Sequence, residues 1–193
     1  MTLKLVGSSS GHTALEAPAS AGSNTIILPA NNGTSGQYLK NTGTAGTLEF
    51  ANLPVGSVLQ QVHASTTTEI TNATTTFASW TGLAANITPI SSSSHLWVWV
   101  NAIRLQTFRN SNEAKIRVTD GTNSTIEYRL RNYDSDDDWL PFNPCSNWYW
   151  TQTHAAGTQI TITPQIKNTD GSNYVIWGDN GATSVCIVQE IAQ

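Results

Sequence analysis

Apolar residues fall into two textures along the chain. Up to residue 54 they come as short pulses: Leu3-Lys4-Leu5-Val6, Thr13-Ala14-Leu15-Glu16-Ala17, Thr25-Ile26-Ile27-Leu28, Gln37-Tyr38-Leu39 and Thr47-Leu48-Glu49-Phe50. Gly, Pro or Ser bounds the pulses, and the region holds neither Trp nor Cys. Segments this short read as small strands that cannot close a core of their own. Their ordering entropy is offset only if a neighbouring chain or a larger body supplies apolar surface. Regular aliphatic spacing therefore predicts ordering by association rather than a disordered tail.

Leu53-Pro54-Val55-Gly56 marks a boundary, with one region at 1–54 and another at 55–193. Beyond it the strands lengthen, over residues 56–62, 96–105, 115–119, 124–130, 159–166, 174–177 and 183–191. Asp120-Gly121 and Asp170-Gly171 supply hairpin-type turns between them. Frequent turn signals without helical periodicity predict an all-β fold. Its expected form is an extended N-terminal β segment, then a C-terminal antiparallel β-sandwich head of jelly-roll type.

Two strands are apolar on both alternating faces. Residues 96–105 set Leu96, Val98 and Val100 on one side and Trp97, Trp99, Ile103 and Leu105 on the other. Residues 183–191 oppose Val185, Ile187 and Ile191 to Cys186 and Val188. A sandwich strand in a monomer normally keeps one wet face. A second copy of the chain would bury the other, with Leu96, Val98, Val100, Val185 and Ile187 as candidate interface residues. A strand at the centre of a large sandwich would give the same pattern.

Composition narrows the classes further. Charged residues make up 11% of the 193, and Ser, Thr and Asn roughly a third. Nine basic residues against thirteen acidic ones leave no electrostatic footprint for nucleic acid. No apolar stretch approaches the roughly 18–20 residues of a membrane helix, so no membrane insertion is expected. The N-terminus lacks a signal-peptide pattern, which predicts folding in a reducing compartment with Cys145 and Cys186 as free thiols rather than a bridge.

The chemistry-bearing clusters are few. Asp134-Ser135-Asp136-Asp137-Asp138 is the densest charge run, but Trp139 stands where a calcium loop needs its Gly, and a solvated loop is the reading. Tyr133, Trp139, Trp148, Tyr149 and Trp150 crowd the same stretch. Aromatic faces beside Asp136 and Asp137 suit stacking on sugar rings, which makes Tyr133, Asp136, Asp137, Trp139, Trp148 and Trp150 candidate receptor-binding residues. The competing reading is that alternate rings of residues 147–150 face the core of an ordinary strand. His12, His63, His95 and His154 lie far apart without metal spacing, and no cofactor is expected. No pair of carboxylates stands out for glycan hydrolysis, and no nucleophile-elbow, Walker or dinucleotide motif is present, so no enzyme is expected.

Residues 11–29, from Gly11-His12-Thr13 to Ile27-Leu28-Pro29, resemble a segment common in structural proteins of tailed phages, especially marine and cyanobacterial ones. So do residues 33–50, from Gly33-Thr34-Ser35-Gly36-Gln37-Tyr38-Leu39 to Leu48-Glu49-Phe50. Residues 56–191 are similar to the β-sandwich tip domains that follow such segments. They share an opening Gly-Ser-Val-Leu-Gln, a Ser-rich turn before an apolar strand and an apolar final strand. The resemblance implies a virion protein made in the host cytoplasm: a homotrimer with an intertwined β stem and three jelly-roll-like heads. Residues 1–54 would join other virion proteins and the head would touch a host-surface glycan. The chain is short for a tail fibre, so a capsid decoration or cement protein is the alternative, with a glycan-degrading spike behind both.

Overall fold

The computed structural model describes residues 3–6, 9–16, 18–20, 22–34, 36–102, 104–107, 113–125, 127–131, 140–142, 145–169, 175–179 and 181–193. The chain divides into two compact units, Met1–Leu53 and Pro54–Gln193.

The first unit is two hairpins. Strand β1 (Leu3–Val6) pairs antiparallel with β2 (His12–Leu15), and β3 (Gln37–Asn41) with β4 (Leu48–Asn52). Between the hairpins Ile27 makes a parallel bridge to Thr47. No described side chain of this unit is buried. Val6 is 81% exposed, and Ile26 and Leu28 each 70%. Four of the five aliphatic pulses make strands and the third a single bridge, and the described residues of the unit leave most of their apolar side chains exposed.

The second unit opens with β5 (Val58–Thr66), β6 (Ile70–Asn72), β7 (Ala78–Ser79), a short 3₁₀ turn at Thr81–Leu83, β8 (Ala85–Ile87) and β9 (His95–Asn101). There follow β10 (Leu105–Thr107), β11 (Glu113–Thr119), β12 (Tyr128–Arg131) and β13 (Leu140–Phe142). The chain ends through β14 (Cys145–Thr151), β15 (Ile160–Asn168), β16 (Val175–Trp177) and β17 (Ser184–Ile191). They form an antiparallel β-sandwich of jelly-roll-like layout. One sheet has the order β14–β9–β17–β5, the facing sheet β12–β11–β15–β7 with β8 also on β15, and a third, short sheet β13–β10–β16–β6.

Period-two alternation decides which residues meet between the sheets. From the first sheet come Leu96, Val98 and Val100 of β9, Trp148 of β14, and Cys186 and Val188 of β17. From the second come Ala114, Ile116 and Val118 of β11 with Ile160, Ile162 and Ile166 of β15. Trp80 and Trp177, their rings 5.4 Å apart, close the core together with Leu83, Ile87, Leu105 and Val175. Cys186 is a free thiol in this interior, and burial pushes its pKa up to about 12, so it is inert as a nucleophile.

Two expectations need correction. Leu96, Val98 and Val100 are each 0% exposed and fill the sandwich, so they are not surface available to a second chain. Residues 96–105 are also not one strand. β9 ends at Asn101, and β10 starts at Leu105 in another sheet, paired to β16 and β13. The break takes Leu105 off the face it would share with Trp97 and Trp99 and buries it. Ile103 and the Asp170-Gly171 turn lie outside the described residues. The Asp120-Gly121 turn does join β11 to the segment leading into β12, with Gly121 at φ +90°, the left-handed region glycine tolerates.

Candidate functional site

The outward face of the β14–β9–β17–β5 sheet is the most unusual surface of the second unit. Cross-strand register builds it in rows. One row runs Asn147, Trp99, Ile187, His63, and the next runs Tyr149, Trp97, Gln189, Gln61. Val185 lies one row beyond, between Asn101 and Ser65. None of the four strands places an Asp, Glu, Lys or Arg on this face; their single charged residue, Glu190, points inward. Trp97 and Trp99, two apart on one strand, stack with centroids 4.6 Å apart, and Tyr149 meets Trp97 edge-on at 6.0 Å. Such ring geometry adds to the apolar surface a neighbour would cover.

Polar groups on this face are tied to one another. The Tyr149 hydroxyl lies 2.9 Å from His95 Nδ1, His95 Nε2 lies 2.6 Å from Thr151 Oγ1, and Gln193 Nε2 donates to the tyrosine oxygen at 3.2 Å. Gln189 Nε2 donates to Gln61 Oε1 at 2.6 Å. Beside them an open groove of about 480 Å³ runs between Val58, Trp97, Asn147, Tyr149, Gln189 and Ile191. Val58 is 48% exposed and Tyr149 53%, so the groove presents apolar walls with amide groups between them.

The opposite sheet turns a wet face outward. Glu113, Lys115 and Arg117 alternate along β11, with Arg129 on β12, Lys167 on β15 and Glu127 just before β12. Glu127 takes Lys115 Nζ at 3.1 Å and Lys167 Nζ at 3.2 Å, and Glu113 takes Arg129 Nε at 3.6 Å. Partial burial works to raise the Glu127 pKa, but the two ammonium groups outweigh it and hold the carboxyl below its ordinary value. At one end of this face Asp120 accepts the Thr122 and Asn123 amide hydrogens at 2.9 and 2.6 Å and meets His154 Nε2 at 2.9 Å. Burial pushes its pKa up; the amides and the histidine together overcome that and hold it low. The two sheets of one sandwich thus differ in kind: one outer face is aromatic and free of charge, the other is an ion-pair lattice.

The sequence-predicted site residues scatter. Tyr133, Asp136, Asp137 and Trp139, with the rest of the acidic run, lie outside the described residues. Trp148 is 5% exposed and belongs to the core, so its ring is not a surface for a receptor. Trp150 is half-buried and packs on the same core. Of residues 147–150 the ring that faces out is Tyr149, as strand alternation requires. Val185 and Ile187 do lie on the outward face, but they stand opposite Asn101 and Trp99 of β9 and share that face with Trp97, not with Leu96, Val98 and Val100. β9 carries apolar residues on both faces, and strand period alone does not say which of the two looks inward.

No family model matches the chain, and no curated protein matches it. Among solved structures it is similar to a TNF protein, Eiger from S. frugiperda, at 9% identity over 69% of this chain and 92% of that one, with a TM-score of 0.41. It is similar to a carbohydrate-binding module from the Cellvibrio mixtus lichenase 5A at 16% identity, covering 82% and 88%, with a TM-score of 0.24. It is also similar to a pentameric capsid protein from metagenomic phage sequences at 13% identity, covering 83% and 95%, with a TM-score of 0.27. These likenesses are distant, and the architecture stands on the chain's own strand pairing.

Proposed function

We propose that this chain is a non-enzymatic virion structural protein of a tailed phage, a short homotrimeric fibre or spike. Its second unit associates with copies of itself through the outward face of the β14–β9–β17–β5 sheet and touches the host surface with what remains exposed. The observation that carries the association is the contrast between the two outer faces, Trp97, Trp99, Val185 and Ile187 on one and paired charges on the other. Desolvating the first face costs little, because no ionised side chain has to leave water; desolvating the second would strand at least six. The phage setting is supported by the resemblance of residues 11–50 to tailed-phage structural segments. Residues 1–54 are assigned to the virion, because their exposed aliphatic residues need cover from another chain. Several weakly binding heads on one particle would reach useful avidity without deep pockets.

Immunogold labelling of intact phage particles with antibody to the second unit tests the placement. Label confined to the tail or its tip is expected. Label spread over the capsid lattice would replace the fibre reading with a decoration or cement protein, and unlabelled particles would contradict a virion role altogether.

A further inference from the structure

The wet sheet holds a second feature that the association leaves free. A polar cleft of about 710 Å³ opens over β11, β15 and the turns beside them, lined by Arg117, Thr119, Asp120, His154, Thr161 and Thr163 among others. Arg117 is fixed in place. Its guanidinium carbon sits 3.8 Å from the centroid of the Phe77 ring, and its Nε donates to Gln165 Oε1 at 2.7 Å. Gln165 Nε2 in turn donates to Ser79 Oγ at 3.0 Å, so one hydrogen-bonded chain crosses three strands.

Arg117 also differs from the other cations. Lys115 and Lys167 both pair with Glu127, Lys115 and Arg129 both reach Glu113, and Arg104 pairs with Glu69 and Asp179. Among the described side chains of this unit, Arg117 is the one Lys or Arg with no carboxylate partner. The cleft's own carboxylate, Asp120, is held by His154 and the amides of its turn and does not compete for it. With Nε engaged and no described residue hydrogen-bonded to its terminal nitrogens, Arg117 presents those two as a planar fork, the geometry that matches a carboxylate with two parallel hydrogen bonds. The remaining wall is largely hydroxyl and amide, which suits a ligand rich in hydroxyl groups.

We propose that this cleft binds an acidic saccharide, the carboxylate of a hexuronate residue lying on the Arg117 fork and its hydroxyls meeting Thr119, Thr161 and Thr163. The assignment gives the attachment reading its ligand class and rests on that reading for its cell-surface setting. The site itself belongs to one protomer and does not require the association.

Calorimetric titration of the full chain with a panel of oligouronates, with maltotetraose as the neutral control and a sulfated oligosaccharide as the other anionic one, tests it. At least one uronate should bind, weakening as salt rises, while maltotetraose does not. Arg117→Gln should reduce that affinity roughly ten- to a hundredfold, the loss of a charged hydrogen-bonded pair, and Arg117→Lys should lose less. Thr161→Trp, on an exposed strand position, should block the cleft with Arg117 intact. Melting temperature and light-scattering mass, recorded on the same samples, separate loss of the site from loss of fold or assembly. Absence of uronate binding, equal binding by Arg117→Gln, equal binding of maltotetraose, or preference for the sulfated ligand would each overturn the proposal. Such a result with the assembly intact would leave the association standing.

Discussion

Glu190→Ala should lower the unfolding free energy by about 4 kcal/mol, because it strands several donors in a dry interior. Glu190 is the one charged side chain of the β14–β9–β17–β5 sheet, and it is 0% exposed. Among the described residues no cation pairs with it. Its oxygens accept from the Ile90 amide at 2.9 Å, the Ser91 amide at 3.0 Å, Ser94 Oγ at 2.6 Å and Gln60 Nε2 at 2.6 Å. The carboxylate therefore fastens the Ser-rich turn before β9 to the final strand and, through Gln60, to β5. Removing it leaves the donors facing each other across a small void. Glu190→Gln keeps the shape but turns an acceptor into a donor among donors, and should cost less than Ala yet well over 1 kcal/mol. Urea unfolding of both variants measures the difference.

The same group sets an acid limit. Burial pushes its pKa up, but the donors from Gln60, Ser94, Ile90 and Ser91 prevail and hold the folded-state value below the ordinary 4.5. A carboxyl whose folded pKa lies below its unfolded one contributes stability above the unfolded value and loses it as pH falls through the folded value. Asp120 and Glu127 are shifted the same way. Wild-type stability should hold from neutrality down to about pH 5 and fall steeply below about pH 4, with part of that fall absent in Glu190→Gln.

Trp97→Asp combined with Trp99→Asp should convert the assembly to monomer while leaving each protomer folded. Both rings point away from the core, so their loss removes no buried volume from the sandwich. In the proposed assembly each large ring at the centre of the interface should be worth about 2 kcal/mol or more, and two carboxylates per copy would have to be desolvated besides. Association should weaken by at least about a thousandfold. Leu96→Asp makes the contrast: on the inward face of the same strand it should unfold the protomer rather than release it. A double variant that stays assembled would take the interface elsewhere.

The fold was legible from strand period and turn chemistry, and the errors have physical causes. β11 alternates cleanly between Ala, Ile or Val and charged or hydroxyl residues, and β15 sets Ile160, Ile162, Pro164 and Ile166 against Thr161, Thr163, Gln165 and Lys167, so their inward faces could be read directly. β9 offered Leu96, Val98 and Val100 against Trp97 and Trp99, two apolar sets with nothing between them to rank. The aliphatic set won the interior, where it meets Ala114, Ile116 and Val118, and the bulkier rings went out. Glu190 was hidden by the same kind of ambiguity. In Gln189-Glu190-Ile191 an inward carboxylate is visible only once the Ser91 turn and Gln60 are known to converge on it. The Arg117 cleft carried no sequence signal, since Arg117, Asp120, His154 and Thr161 come from separate elements that only β11–β15 pairing and the Asp120 turn bring together.

Light scattering on the intact chain at micromolar concentration tests self-association through the aromatic face most directly. A mass three times the 20.8 kDa of one chain is expected, falling to one chain's mass in the Trp97→Asp, Trp99→Asp variant. A wild-type mass of 20.8 kDa, with the protein folded, would contradict it.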